Sequence, residues 1–353
     1  MTTEVTRVDL RPLQQAIRAL RYTLPLEPDD LRYVARADAL STQIRSRMLA
    51  PSASRVLIAG TPGCGKSTEL ARIPRVLDDG RHTLLLRADR ALDLLSPTME
   101  ALDRALLKEA GSVLDATWKR AFRRAGASAG QLFAKIDDFH AEDAAVTLQR
   151  LLDEEAETRG ELVLIIDGLE KLPVSQLPFL DAVLARPEYR RTLRFVVVPH
   201  WRLYGWSSLR AMDDVEIVEV TINAASSFVA DVLQLRAGEV IDREDIEAIG
   251  AYCGGVVRDG LQFSLNACRC AMERGAARVG HPDMIAAEVQ LRNFFEGLFA
   301  DQYAHVRSVL STVDLSGEFP EITPELRSHL LAAGAVLRGV DRFVVHPAAR
   351  AAT

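Results

Sequence analysis

A glycine-rich stretch between an apolar run and a helical pattern constrains this 353-residue chain more than any other feature. Residues 60–67 read G-T-P-G-C-G-K-S, which fits the pattern G-x-x-x-x-G-K-[ST] in full. The glycines let the backbone curl so that several N–H groups point inward at phosphate oxygens, and the following helix N-terminus adds donors and partial positive charge. The pattern therefore predicts a strand, a phosphate-binding loop and a helix, in that order. The alternative, a glycine-rich turn that binds nothing, leaves the agreement of motif and flanking segments unexplained.

Each residue of this loop, and the residue after it, is a candidate for binding ATP or ADP. Lys66 is expected to reach the β- and γ-phosphates, and the hydroxyl of Ser67 is expected to ligate Mg²⁺. The candidate nucleotide-binding residues of this stretch are Gly60, Thr61, Pro62, Gly63, Cys64, Gly65, Lys66, Ser67 and Thr68.

Five short apolar runs alternate with helical patterns along the first 220 residues. Continuous apolar runs of this kind are typical of a parallel sheet that is covered by helices on both faces, with ligands at the carboxyl ends of its strands. The sequence therefore predicts a three-layer α/β core. The predicted strands are residues 55–59, 82–87, 161–167, 193–199 and 215–220.

A phosphate loop needs an acid that holds the water shell of the metal, and the third apolar run supplies one. Asp167 ends this run, so its carboxylate is expected beside Ser67 as part of the magnesium site. Glu170 follows three positions later and is a candidate catalytic residue that polarises the attacking water. The alternative is that Glu170 and Lys171 begin a solvated helix face.

The order of these motifs resembles the AAA+ and STAND (NACHT-like) groups of P-loop ATPases. The form Asp-Gly-Leu-Glu over residues 167–170 resembles the STAND version, in which the acid after Asp-Gly-Leu is catalytic. Ordinary AAA+ proteins place Glu directly after the Asp, and here that position is Gly168. The resemblance covers roughly residues 31–295 and extends in part to origin-recognition-type AAA+ ATPases. It implies a RecA/AAA+-like parallel sheet core with a helical lid, and slow hydrolysis of ATP.

The same resemblance implies further site residues, each with a simpler alternative. Tyr33 and Arg36 fall in the segment that packs beside the adenine, or belong to a plain surface link. His200 occupies the place of the sensor-1 residue that reads the γ-phosphate, although neither the usual Asn nor the Thr-Ser-Arg of STAND proteins is present; a histidine hydrogen-bonded within the fold is the alternative. Arg258 follows Gly254-Gly255 as a sensor-2 arginine does, or is a surface charge after a helix break. Arg210 lies where AAA+ proteins carry an arginine finger, or is a lone surface arginine.

The chain is expected to have four parts. Residues 1–50 form an N-terminal helical segment with the adenine-side packing region, 51–220 the ATPase core and 221–300 the helical lid, where strand signals vanish. Residues 301–353 form a small domain in which a helix over 324–337 and a strand over 343–345 resemble a winged helix.

Composition and charge exclude several classes of protein. Hydrophobic residues make up 48%, which excludes a mostly disordered chain, and 43 basic against 49 acidic residues give a net charge of −6. Nucleic acid is therefore not indicated as a partner, although a local basic face, such as Lys119-Arg120 with Arg123-Arg124, is compatible with it. No apolar run approaches the ~18–20 residues of a membrane span. Four cysteines make no disulfide framework, so a reduced, cytoplasmic protein without a membrane partner is expected.

The sequence thus predicts an ATP-binding, magnesium-dependent switch that couples nucleotide state to assembly. STAND proteins usually fuse the switch to an effector and a sensor, for which this chain leaves no room. A separate effector or sensor protein is therefore expected as partner, in an ATP-dependent homo- or hetero-oligomer, with bacterial defence or signalling as a plausible setting. An origin-recognition-type DNA-binding ATPase and a small-molecule kinase are the alternatives, the latter disfavoured because a kinase lid usually interrupts the core.

Overall fold

The architecture is described from a computed structural model of the chain. The residues that the structure describes are 8–22, 26, 29–36, 39–49, 51, 53–114, 117, 141–189, 191–204, 214–222, 227–300, 303–339 and 341–352. By their contacts they form two compact units. The sheet unit falls within residues 38–59 and 67–219, and the lid unit falls within residues 1–37, 60–66 and 220–353. The four-part division predicted from the sequence remains a prediction.

A five-stranded sheet is the centre of the sheet unit, and its order is β2-β3-β4-β1-β5. The pairs β1–β4, β2–β3 and β3–β4 are parallel, as the apolar runs predict. Each predicted strand is observed, with ends within two residues of those expected; the fourth ends before Pro199, which has no N–H for the ladder. The strands are β1 (Arg55–Gly60), β2 (Thr83–Arg87), β3 (Leu162–Asp167), β4 (Thr192–Val197) and β5 (Val215–Val220).

Helices of the sheet unit pack their apolar residues against these strands. Every residue of β3 and β4 is buried, as expected for interior strands of a covered sheet, whereas most of edge strand β5 is partly exposed. Leu164 and Ile166 of β3 share one core cluster with Leu106 and Leu151 from two of the helices. These helices are α2 (Leu40–Leu49), α3 (Lys66–Ala71), α4 (Ala88–Ala91), α5 (Met99–Val113), α6 (Ala141–Arg159) and α7 (Leu177–Ala185). The α/β P-loop class of fold is confirmed.

The lid unit is mainly helical. Its helices are α1 (Arg11–Ala19), α8 (Phe228–Ala237), α9 (Arg243–Tyr252), α10 (Val257–Glu273), α11 (His281–Phe299), α12 (Tyr303–Ser316), α13 (Pro324–Ala332) and α14 (Pro347–Ala352). Two short strands, β6 (Val336–Arg338) and β7 (Phe343–Val345), pair in an antiparallel hairpin. A helix followed by a hairpin is the order that the sequence predicts here, and the winged-helix comparison remains a prediction.

The predicted helix over residues 324–337 is wrong in its second half. Helix α13 ends at Ala332, and Val336–Arg338 is strand β6. Gly334 adopts a φ of 75°, a left-handed conformation that ends helices, and the Ala335 N–H donates to the Leu330 carbonyl. The apolar residues on both sides of this glycine look like one helical pattern in the sequence. Among the described residues, no helix has both the length and the apolar character needed to cross a membrane.

Candidate functional site

Asp167 ends β3 at the carboxyl edge of the sheet, where parallel α/β sheets bind ligands. Its side chain is 2% exposed. The Ser67 hydroxyl donates to Oδ1 of Asp167 at 3.1 Å. The structure therefore brings together the two residues that the sequence analysis assigned to a magnesium site.

Arg87 was missed by the sequence analysis as a site residue. It ends β2 and is the direct register partner of Asp167 on β3. Its Nη2 lies 3.6 Å from Oδ2 of Asp167. The signal was present, because Arg87 is the charged residue that closes an apolar run, just as Asp167 closes the next one along the chain.

Glu170 lies in a tight turn that directly follows Asp167. Gly168 has a φ of 95°, and a Cβ at this position would lie 2.7 Å from the backbone N of Asp89. Only glycine fits both the left-handed conformation and this close approach. Residues Leu169–Lys171 then form a single 3-10 turn, and Lys171 pairs with Asp89. Glu170 is partly buried in this turn, and its catalytic role remains a prediction.

The donor set in the sheet unit fits Mg²⁺, the metal that the nucleotide-binding motif implies. The Ser67 hydroxyl and the Asp167 carboxylate are hard oxygen donors, and Mg²⁺ is usually held by one or two such groups together with substrate phosphates and water. No cluster of three or more His, Cys, Asp or Glu side chains suited to a metal is found among the described residues. The site that the motif implies does not need such a cluster, because phosphates and water supply the other ligands of Mg²⁺.

The phosphate loop of the lid unit is curled by two glycines in left-handed conformations. Gly63 and Gly65 have φ values of 83° and 95°. Lys66 is buried, and its Nζ donates to the carbonyl oxygens of Gly60 at 2.8 Å and Thr61 at 3.1 Å. Two loop carbonyls therefore accept hydrogen bonds from Lys66, and these bonds hold the side chain against the loop on which phosphates are expected.

The remaining residues of the phosphate loop are Pro62 and Cys64, and Thr68 comes directly after the loop in α3. Cys64 is buried in an apolar cluster with Ile222, Val256 and Leu337. Leu337 belongs to β6, so the C-terminal hairpin packs against the phosphate loop. The sequence gives no sign of this contact, because the two segments are far apart in the chain.

Arg36 lies against the phosphate loop, and Tyr33 belongs to the same segment. Nη1 of Arg36 donates to the Cys64 carbonyl at 3.3 Å, and its guanidinium carbon lies 5.0 Å from the centre of the Phe228 ring. The Tyr33 N–H donates to the Asp30 carbonyl at 3.1 Å. This segment is therefore more than a surface link, and its role beside an adenine remains a prediction.

Arg258 of α10 packs directly on the phosphate loop. Its backbone N–H donates to the Gly63 carbonyl at 3.2 Å. A Cβ at Gly63 would lie 2.6 Å from Cβ of Arg258, so the absence of a side chain at Gly63 permits this approach. Nε of Arg258 donates to Oδ1 of Asp259 at 2.9 Å. Arg258 is thus packed on the phosphate loop, and its contact with a terminal phosphate remains a prediction.

Asp259 and His346 form a buried pair behind Arg258 that the sequence analysis did not identify. Oδ2 of Asp259 lies 3.4 Å from Nε2 of His346, and the Ala348 N–H donates to Nδ1 of the same ring at 3.1 Å. Burial raises the pKa of Asp259, but the contacts with His346 and Arg258 outweigh it, and the net pKa is lowered. Asp259 therefore stays ionised and keeps Arg258 in place.

His200 is buried at the end of β4, and Nε2 lies 2.9 Å from Oε1 of Glu219 on β5. This hydrogen bond is the alternative that the sequence analysis gave for His200, and a contact with a γ-phosphate remains a prediction. Arg210 and the basic cluster over residues 119–124 lie outside the described residues.

Residues 35–198, just under half of the chain, match the family described as the AAA ATPase domain. This match confirms the resemblance to AAA+ P-loop ATPases over that segment. None of the curated protein sequences matches the chain significantly.

Solved structures of P-loop ATPases also resemble this chain. The Walker-type ATPase paby2304 of Pyrococcus abyssi is 13% identical, with 95% of this chain and 99% of that chain covered, at a TM-score of 0.54. This likeness supports the fold. The ORC2 protein of Aeropyrum pernix, in its ADPNP–ADP complexes, is 15% identical over 94% of this chain and 93% of its own, at a TM-score of 0.47. The structure of Drosophila ORC bound to DNA is 14% identical, with 97% of this chain and 91% of that chain covered, at a TM-score of 0.48.

Proposed function

We propose that this chain is a P-loop ATPase of the AAA+ group that binds ATP with Mg²⁺ and hydrolyses it to ADP and phosphate. The observation that carries the proposal is the 3.1 Å hydrogen bond from the Ser67 hydroxyl to Asp167. Ser67 directly follows Lys66, the buried lysine of the phosphate loop. A hydroxyl and a carboxylate brought together next to a phosphate loop are the donor pair of a magnesium–nucleotide site.

Each site residue has a role in the proposed reaction. Lys66 and the loop N–H groups bind the β- and γ-phosphates, and Arg258 binds the terminal phosphate from the lid unit. Ser67 and Asp167 hold the metal, which would neutralise charge that develops on the transferring phosphoryl group. Glu170 orients the attacking water and accepts its proton. Glu170 lies in the tight turn that follows Asp167 and begins after Gly168.

Phosphate release from ATP by the purified chain tests this function. We expect release that requires Mg²⁺, and that is lost with excess EDTA and in Asp167→Asn. Transfer of the phosphoryl group to an added small-molecule acceptor, without free phosphate, would instead support a kinase. Release that is unchanged in Asp167→Asn would show that the activity does not come from this site.

The contacts around Arg258 support a switch function for the ATPase. Because the arginine is held both by the loop carbonyl of Gly63 and by Asp259, gain or loss of a terminal phosphate would change its balance of contacts. We infer that the output is assembly with a separate effector or sensor protein. Affinity purification of Glu170→Gln chains with ATP and with ADP tests this inference, which fails if the same proteins are recovered with either nucleotide.

An assembled state would also give Arg210 a function. As an arginine finger it would complete the site of a neighbouring subunit, and such fingers contribute ~10³–10⁵ in rate. Mixing Arg210→Ala chains with Lys66→Ala chains should then restore part of the activity, because each supplies what the other lacks. Arg258→Ala chains mixed with Lys66→Ala chains should restore none, since Arg258 acts within its own subunit.

The DNA-binding alternative is not supported by the charge of the C-terminal segment. Over residues 303–352, five arginines are balanced by five acidic residues. Binding to the phosphate backbone normally requires an excess of positive charge on the contacting face. A salt-dependent shift in the mobility of a DNA duplex would nevertheless establish the alternative directly.

A further inference from the structure

Two groups, Ser67 and Arg87, lie beside different oxygens of the Asp167 carboxylate. Oδ1 accepts the hydrogen bond from Ser67 at 3.1 Å, and Oδ2 lies 3.6 Å from Nη2 of Arg87. The two strands are in parallel register, with Arg87 directly opposite Asp167, so the two side chains leave the same edge of the sheet side by side. The position of Arg87 is therefore set by the sheet itself.

The charge of Arg87 is permanent, because a guanidinium is not deprotonated in proteins. Its side chain is 21% exposed and that of Asp167 is 2% exposed, so solvent screens this ion pair less than an exposed one. The neighbouring charges form a separate pair, in which Lys171 contacts Asp89. The cation that faces Asp167 from the adjacent strand is thus Arg87.

We propose that Arg87 is a positioning residue for Asp167, and this rests on the function proposed above. Arg87 holds Oδ2, which leaves Oδ1 with the Ser67 hydroxyl; Ser67 and Asp167 are the residues that would hold the metal. The guanidinium also repels a divalent cation. Arg87 therefore aligns the carboxylate and at the same time weakens Mg²⁺ binding. Two effects of opposite sign follow when Arg87 is removed: tighter binding of Mg²⁺ and slower hydrolysis.

The slower hydrolysis follows from geometry. A carboxylate that is free to rotate no longer fixes the metal relative to the phosphates, and misplacement by about 1 Å costs up to ~10²-fold in rate. The tighter binding follows from Coulomb's law, because a positive charge near the metal has been removed. A residue that merely stabilises the fold would weaken both binding and hydrolysis when it is replaced.

The test measures Mg²⁺ affinity directly. A fluorescent ADP analogue is bound to the protein in EDTA-treated buffer, and Mg²⁺ is titrated in. In Arg87→Ala we expect the Mg²⁺ midpoint to fall by about threefold to tenfold, the change expected for loss of one partly screened charge. Arg87→Lys, which keeps the charge, should stay close to the parent. Arg90→Ala is the matched control, because it removes an exposed arginine of α4 three residues away.

Hydrolysis is measured on the same variants, and kcat should fall in Arg87→Ala while KM for ATP changes little. Arg87→Gln is a second neutral variant that keeps most of the aliphatic stem if Arg87→Ala does not fold. In an Asp167→Asn background, Arg87→Ala should still lower the Mg²⁺ midpoint, because the repulsion between the guanidinium and the metal is direct and does not pass through the carboxylate.

The outcomes separate this inference from the function on which it rests. A parent chain whose binding of the ADP analogue is indifferent to Mg²⁺ overturns both. A parent that responds to Mg²⁺, with folded Arg87→Ala and Arg87→Gln variants whose midpoints are unchanged or higher, overturns the role of Arg87 alone.

Discussion

The two regions that carry the site residues are held together in different ways. In the sheet unit, Ser67 and Arg87 each contact Asp167 through side chains that leave the ends of regular elements. In the lid unit, the contact between Gly63 and Arg258 depends on a backbone hydrogen bond and on a glycine that offers no side chain. The sheet region is fixed by strand register. The lid region is fixed by close packing, and small changes in shape should disturb it.

Under the proposed function, this difference places the chemistry in one region and the response to the nucleotide in the other. The carboxylates proposed for the reaction are Asp167 at the end of β3 and Glu170 in the turn that follows it. The arginine that would respond to the terminal phosphate is on a helix whose place depends on Asp259 and, behind it, on His346. Substitutions in the two regions should therefore fail differently.

The largest expected effect is on hydrolysis in the sheet unit. Glu170→Gln should bind ATP as the parent does and lose about 10²–10⁴-fold in turnover, because the amide cannot accept the proton of the attacking water. Steady-state phosphate release and ATP titration on the same preparation measure both quantities. Turnover equal to that of the parent would move the catalytic role to another residue.

Gly168→Ala should lower the free energy of unfolding by about 3 kcal/mol, because left-handed strain and the contact with Asp89 add together. Gly160→Ala is the matched control. Its φ of 89° is similar, but a Cβ there would lie 3.7 Å from the Arg81 side chain, an ordinary contact. Urea unfolding of both variants measures the two changes. An equal decrease in the free energy of unfolding would show that the close contact at Gly168 adds nothing to the backbone strain.

Gly63→Ala should weaken nucleotide binding by about tenfold, or 1.4 kcal/mol, more than Gly65→Ala does. A Cβ at Gly63 meets Arg258 at 2.6 Å, whereas a Cβ at Gly65 meets nothing within 4 Å, although both glycines are left-handed. Titration with ADP compares them. If Gly65→Ala binds as weakly as Gly63→Ala, backbone strain and not contact with Arg258 governs the loop.

The smallest expected effect concerns pH. The pKa of Asp259 is lowered in the folded chain from an ordinary value of 3.8, so its stabilising contribution is complete above about pH 4 and is lost as the pH falls through the folded pKa. Asp259→Asn should therefore be less stable than the parent at pH 7, and this difference should shrink on acidification toward pH 3. The exposed Asp341→Asn is the control, and urea unfolding across this range measures both. A difference that is independent of pH would contradict the ionised pair.

The features of the sheet unit could be predicted from the sequence to a larger extent than those of the lid unit. The phosphate loop, the strands and the meeting of Ser67 with Asp167 follow from local patterns, because the ends of parallel strands share one edge. To predict Arg87 as a site residue, only the strand order was needed, because it places β2 beside β3. The contacts of Arg258, Asp259 and His346 could not be predicted, since nothing local to α10 indicates that His346, between β7 and α14, lies against Asp259. The helix predicted over 324–337 was wrong because Gly334 interrupts an otherwise continuous apolar pattern.

Calorimetric titration of ATP into the parent, Lys66→Ala and Lys108→Ala chains tests the central claim most directly. Lys66 is the buried cation of the phosphate loop, whereas Lys108 is an exposed lysine on α5. Hydrogen bonds to charged groups contribute about 1.5–3 kcal/mol each, so Lys66→Ala should weaken ATP binding by about 100-fold or more, and Lys108→Ala should bind as the parent does. A Lys66→Ala chain that is folded and binds ATP as tightly as the parent would contradict the assignment of residues 60–67 as a nucleotide site.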